Sequence, residues 1–280
     1  MKYIVVTGVS SGIGYGIAKE FASKNYHVFG SVRKQEDATR LKQEIATNFT
    51  PLLFDVTDRQ AIENAAKQVE EIVGNLGIVG LINNAGIATS GPLIHQPIAE
   101  IRRQFEVNVI GQINVIQVFF ELLKIGERPG KIINISSTAG KLSAPFLGAY
   151  SGSKHALEGI SSSLRKELQL YGIDVIIIGP GVVATKICHS IEVENAAKKY
   201  AETDYAKSID IFQNYIVSQV ENGLSVATLG QFIREVFETE KPKTRYAILR
   251  DRIKSWLLPG LLPPRISDRR VARNLGWLRK

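Results

Sequence analysis

Short β-branched runs alternate with longer helical stretches along most of this 280-residue chain. The runs are Tyr3–Val6, His27–Val32, Pro51–Phe54, Ile78–Ile82, Lys131–Ile135, Asp174–Ile178 and Arg245–Leu249. Their apolar residues are near-continuous, as strands covered on both faces require. Helical patterns fill residues 12–24, 36–47, 58–73, 97–124, 150–171 and 186–240, the last broken. Strand and helix in strict alternation predict an α/β fold, a doubly wound, seven-stranded parallel sheet with helices on both sides. Residues 1–250 form one domain on this reading, and residues 251–280 form a basic C-terminal extension.

Composition narrows the field. Hydrophobic residues make up 44% and charged residues 22%, enough apolar surface for a sizeable core and too few charges for disorder. Cys188 is the single cysteine, which excludes an internal disulfide framework and fits a reducing, cytoplasmic setting. The opening MKYIVVTGVSSGIG lacks a secretory pattern, and no stretch approaches 18 uninterrupted apolar residues. The net charge is +8. Residues 241–280 hold twelve Lys or Arg against Asp251 and Asp268, a net of +10, so the remainder sums to −2. The basicity belongs to the tail. Neither zinc-finger spacing nor an RNA-binding consensus accompanies it, so no nucleic-acid partner is expected.

Thr7-Gly8-Val9-Ser10-Ser11-Gly12-Ile13-Gly14 follows the first strand and opens the first helix. Glycines there let the backbone approach a pyrophosphate, and the free N–H groups of the helix start stabilise its charge. Gly8, Ser10, Ser11, Gly12, Ile13 and Gly14 are therefore candidate dinucleotide ligands. The second strand ends Ser31-Val32-Arg33-Lys34, with no acid at its tip. An acid would favour the free ribose of NAD; Arg33 and Lys34 instead suit a 2′-phosphate, which favours NADP(H).

Tyr150 and Lys154 share one face at the start of a helix. That spacing is common by chance, and Tyr15 and Lys19 have it too. Only Tyr150 has company: Ser136-Ser137 closes the fifth strand, and Asn83-Asn84-Ala85-Gly86 closes the fourth. Strand ends of a parallel sheet meet ligands at one edge. Asn108 lies inside an apolar helix, where a buried amide needs partners. His155 points away from Tyr150 along the helix, and Cys188-His189 lacks further ligands for a metal, so no metal site is expected.

Taken in order, Thr7–Gly14, Asp55-Val56, Asn83–Gly86, Asn108–Gly111, Ser136-Ser137, Tyr150-x3-Lys154 and Pro180-Gly181-x3-Thr185 resemble the short-chain dehydrogenases/reductases, over residues 1–250. The resemblance implies a Rossmann fold and a nicotinamide-dependent oxidoreductase. By position it makes Tyr150 the acid/base, Ser137 the group that polarises the carbonyl, and Lys154 the ribose ligand that lowers the tyrosine pKa. Asn108 would order a relay water, Asp55 would touch adenine, Asn83 would line the cleft and Thr185 would bind the carboxamide. Val56, Ala85, Gly86, Pro180, Gly181 and Val183 would complete the cofactor contacts. The physics is compatible: a phenol of pKa near 10 must fall by roughly two to three pH units to work near neutrality, and a nearby cation supplies about one to three.

Within the family, Arg33–Ala38 and Gly91-Pro92-Leu93 look like the steroid and retinol dehydrogenase branch. Substrate choice is expected in residues 140–149 and 186–224, whose apolar character suits a hydrophobic ketone, aldehyde or alcohol. A 3-oxoacyl-carrier-protein reductase and a non-catalytic NADP(H)-sensing regulator are the alternatives. Apolar excess on helices 97–124 and 150–171 suggests a homodimer or homotetramer. For the tail, an arm packed on its own domain or a partner subunit is preferred to a segment lying on a membrane, because prolines interrupt it.

Overall fold

The computed structural model describes residues 1–126, 128–184, 196–221, 223–249 and 262–278. Seven strands form its sheet: β1 (Lys2–Val6), β2 (Tyr26–Val32), β3 (Phe49–Leu53), β4 (Gly80–Asn83), β5 (Lys131–Ile135), β6 (Asp174–Pro180) and β7 (Arg245–Ile248). All pairings are parallel, in the order β3-β2-β1-β4-β5-β6-β7. The period of two along each strand divides the core. Ile4, Val6, Ile82, Ile133, Ile135, Ile176 and Ile178 face one buried cluster. Val5, Leu81, Ile132 and Val175 face the other. This is why the strand sequences show no polar alternation.

Helices α1 (Gly12–Ala22), α2 (Gln35–Ile45) and α8 (Val226–Glu238) cover the first face. Helices α3 (Arg59–Val73), α5 (Gly111–Lys124) and α6 (Gly148–Glu167) cover the second. Further helices among the described residues include α4 (Ile98–Phe105), α7 (Ala206–Glu221) and α9 (Pro264–Asn274). Local signals start some of them. Asp58 accepts a hydrogen bond from Ala61 N at 3.0 Å and caps α3, and Ser225 accepts one from Thr228 N at 3.0 Å and caps α8. Gly16 and Gly230 let α1 and α8 touch; a Cβ on Gly230 would sit 2.7 Å from the Gly16 carbonyl oxygen.

Two expectations change. The helix expected over 97–124 is interrupted by a π-helical turn, Glu106–Ile110, centred on Asn108. The absence of 18 uninterrupted apolar residues predicts no membrane-spanning helix, yet by length and composition Ile98–Lys124 is apolar enough to cross a membrane. Half of that window is buried in the domain, so part of its apolarity serves the core. The stretch over 186–240, read as a broken helix, contains α7 and α8 among the described residues, and Cys188-His189 lies outside them.

A third cluster lies apart from the sheet. Phe146, Ala196, Tyr200, Ile209, Phe212 and Leu275 pack together, with Tyr205, Ile216 and Val271 against them. It joins the loop before α6, helix α7 and the C-terminal residues.

Candidate active site

β1 and β4 lie side by side, and the chain crosses over in opposite directions from them. Such a reversal opens a crevice at the carboxyl ends of the strands. A cavity of about 700 Å³ occupies that edge. Gly8, Ser10, Ser11, Gly12 and Ile13 line one end, and Ser137, Tyr150 and Lys154 line it farther along.

The phosphate loop is built by close backbone approach. Gly8 has φ +70°, and a Cβ there would meet the Ala85 Cα at 2.9 Å. Gly14 faces inward: its Cβ would stand 2.2 Å from the Gly8 carbonyl oxygen. Asn84 fixes this turn by donating from Nδ2 to the carbonyls of Thr7 (2.9 Å) and Gly8 (3.1 Å). Thr7 Oγ1 accepts from the N–H groups of Asn84 and Ala85, both at 2.9 Å. Unlike α3 and α8, α1 has no side-chain hydrogen bond at its N-cap, Ser11. Its first N–H groups stay available for an anion.

Arg33 and Asp55 line the cavity beyond the loop. Their side chains face each other, with Arg33 Nη1 3.8 Å from Asp55 Oδ2, and the arginine is 65% exposed. A loose, solvated pair of this kind leaves the guanidinium able to turn to a phosphate. Arg40 was not singled out by the sequence. It donates to the Ser10 carbonyl at 2.7 Å and to Asp37 at 2.9 Å, so it braces the loop from α2. Lys34 is exposed and does not reach the cavity wall; its carbonyl accepts from Ala38 N at the start of α2.

At the other end, Lys154 is buried, and its Nζ donates to the Ile135 carbonyl at 2.9 Å. Nζ lies 5.9 Å from the centroid of the Tyr150 ring. Burial pushes the Lys154 ammonium down to about 8, opposed by the attraction of Glu158. Glu158 is itself buried, one helical turn further on. It is held by Arg245 (2.9 Å), Lys141 (3.2 Å) and the Ser136 hydroxyl (2.9 Å). Ser136 thus anchors the strand end, and Ser137 faces the cavity. Ser137 Oγ accepts from Ala139 N at 3.1 Å, which leaves its O–H to donate elsewhere. Neither Glu158 nor Arg245 carries a motif, and 87 residues separate them.

Tyr15 and Lys19 test how much spacing alone can say. Lys19 Nζ also lies 5.9 Å from its tyrosine ring. That lysine is exposed, and Tyr15 packs beside the first core cluster without lining the cavity. Burial and placement at the sheet edge separate the two pairs. His155 is exposed and bonds the Ser151 carbonyl at 2.8 Å.

Two other residues sit behind the wall. Asn108 is fully buried: Oδ1 accepts from Ile87 N (2.8 Å), and Nδ2 donates to Ile87 O (2.9 Å) and Ser153 Oγ (3.0 Å). Ser153 Oγ in turn donates to the Tyr150 carbonyl at 2.7 Å, so the amide side chain ties the π turn to the tyrosine's helix. Asn83 points into the sheet and donates to Asn134 Oδ1 at 3.0 Å; the next residue, Asn84, reaches the cavity. Val56, Ala85, Gly86, Pro180, Gly181 and Val183 all line the cavity, and Thr185 lies outside the described residues. No cluster of metal-ligating side chains occurs among the described residues.

A family model described as short chain dehydrogenase matches residues 2–196. The chain belongs to the short-chain dehydrogenase family. It is therefore an oxidoreductase of alcohols and carbonyls that uses a nicotinamide cofactor. This dehydrogenase is 39% identical to the NADPH-dependent 3-dehydrocapnine reductase of Ornithobacterium rhinotracheale, over 98% of each chain. It is 33% identical to dehydrogenase/reductase SDR family member 9 of Bos taurus, over 95% of this chain and 86% of the relative. A solved short-chain dehydrogenase from Streptomyces avermitilis superposes with a TM-score of 0.75 at 27% identity, covering 98% of this dehydrogenase and 97% of that chain.

Proposed function

We propose that this dehydrogenase reduces a hydrophobic, lipid-like ketone with NADPH, with Tyr150 as the proton donor. The observation that carries the reading is the single cavity that joins the phosphate loop and Arg33 to Tyr150, Lys154 and Ser137, and ends in an apolar wall. That wall is Leu142, Ala144, Leu147, Phe212 and Ile216. Ser90 lies among them with a buried hydroxyl that has no partner within the described residues, a polar point for orienting a substrate. The relative from Ornithobacterium rhinotracheale acts on 3-dehydrocapnine with NADPH by its name, and a ketone of that kind is the substrate we assign.

The uncapped start of α1 and the two crowded glycines fit a pyrophosphate, and Arg33 fits an added 2′-phosphate. When bound, the reduced nicotinamide supplies the hydride. The chain's residues handle the oxygen. Ser137 donates a hydrogen bond where negative charge grows on the carbonyl oxygen. Tyr150 gives its phenolic proton to that oxygen, and the Lys154 ammonium stabilises the phenolate left behind. Glu158 helps keep that ammonium charged.

The test is a comparison of ketones with purified protein, following the absorbance of the reduced nicotinamide. We expect turnover of 3-dehydrocapnine and long aliphatic ketones, and a kcat/KM for NADPH about 10-fold or more above NADH, as a charge-assisted phosphate contact supplies. Turnover confined to 3-oxoacyl thioesters on acyl-carrier protein, or a preference for NADH, would overturn the reading.

A further inference from the structure

The C-terminal residues pack on the domain through one face and leave a charged face outside. Val271 of α9 and the buried Leu275 sit on the third cluster. Trp277 Nε1 donates to Ser208 Oγ at 2.7 Å, and Ser208 Oγ donates to the Leu275 carbonyl at 3.2 Å. The indole meets Phe146 and Tyr205 edge-on, both with centroids 6.2 Å away. Phe146 also packs on Phe212, whose side chain lines the cavity. Helix α9 therefore lies on the outside of the apolar wall that closes the substrate end.

At 100° per residue, Arg265, Ile266, Arg269, Arg270 and Arg273 fall on the half of α9 opposite Val271. All five are exposed. None of the four arginines forms an ion pair among the described residues, and Asp268 is the helix's single acid. Ile266 (53% exposed), Trp277 (45%) and Leu278 (44%) place apolar tips beside them. Unpaired cations interleaved with exposed Ile, Leu and Trp suit an interface that is anionic at its surface and apolar just beneath.

We propose that the outward face of α9 docks on an anionic phospholipid bilayer and brings the substrate end of the cavity to the lipid. The docking stands on the helix alone. The uptake of a ketone from the bilayer rests on the reading in the preceding section.

Sedimentation of the full-length protein with vesicles tests it. Phosphatidylcholine vesicles with and without about one-third phosphatidylglycerol are compared at about 50 mM and about 500 mM salt. Wild type is expected to sediment with the anionic vesicles at low salt and to be released by high salt or by removal of the anionic lipid. Replacing the four arginines by Gln should lower partitioning at least about 100-fold, and replacing them by Lys should largely preserve it. Because the four are exposed, unpaired among the described residues and away from the cavity lining, turnover of a short, water-soluble ketone should not change in either variant. The proposal is overturned if wild type stays in solution with anionic vesicles at low salt, or if the Gln variant binds equally. It is also overturned if the face takes up an RNA oligonucleotide or a second copy of the chain while vesicles stay unbound. An active protein that does not sediment removes the docking alone; a sedimenting protein with no ketone turnover removes the enzymatic reading alone.

Discussion

Lys154 and Lys19 share a spacing and differ in burial. Each stands four residues after a tyrosine and 5.9 Å from its ring, yet only Lys154 is buried. A lysine titrates near 10.4 in the unfolded chain and near 8 at this site. Between those values the unfolded state binds more protons, so this group makes folding more favourable as pH rises from about 8 to about 10.4. Lys154→Met removes the contribution. In urea denaturation of the cofactor-free protein, the stability gained by the Met variant over wild type should shrink by about 3 kcal/mol across that window. A difference independent of pH would contradict it. Glu158→Gln should move the Lys154 titration lower still, read from the NMR shift of its ε-carbon, because the attractive charge is gone. At the cofactor's other end, Arg33→Ala should raise the KM for NADPH about 10- to 100-fold and leave NADH within about twofold. Equal effects on both cofactors would remove the phosphate from Arg33. That Tyr150, Ser137 and Lys154 line one cavity was legible because they lie in one short stretch of chain. Glu158, Arg245 and Arg40 were not, because each acts through a partner distant in sequence or through a backbone carbonyl.

Among the elements, the interrupted helix is the instructive departure. Residues 97–124 read as one apolar helix because the hydrophobic period continues across 106–110. The π turn shifts that period by one residue and carries Asn108 inward. There its amide mimics a backbone partner for Ile87, bonding both the N–H and the carbonyl. A buried Asn in an apolar run signalled that partners must exist; it did not signal where. Asn108→Ala leaves Ile87 with two unmet groups and should cost about 2–4 kcal/mol in urea denaturation. A loss below about 0.5 kcal/mol would show that water replaces the amide. Gly230→Ala is expected to destabilise by about 1–3 kcal/mol, since its Cβ would press on the Gly16 carbonyl where α1 and α8 cross. An unchanged denaturation midpoint would refute that contact.

For the molecule as a whole, the seven strands and their parallel arrangement were readable because both faces of the sheet are covered, and covered strands write continuous apolar runs. That the tail packs on its own domain agrees with the reading preferred from its prolines; which residues it packs against was not readable. Trp277 reaches Ser208 across 69 residues of chain, and nothing in either segment names the other. The charge asymmetry pointed to the tail, and the third cluster explains how an arm can be docked and charged at once. The proposed function has one cavity bind NADPH and protonate a ketone through Tyr150. Tyr150→Phe separates the two parts, with NADPH binding followed by nicotinamide fluorescence and ketone reduction by single turnover. NADPH affinity should stay within about threefold of wild type and reduction should slow by about 100-fold or more, the loss of a positioned general acid. Reduction within about tenfold of wild type would contradict it.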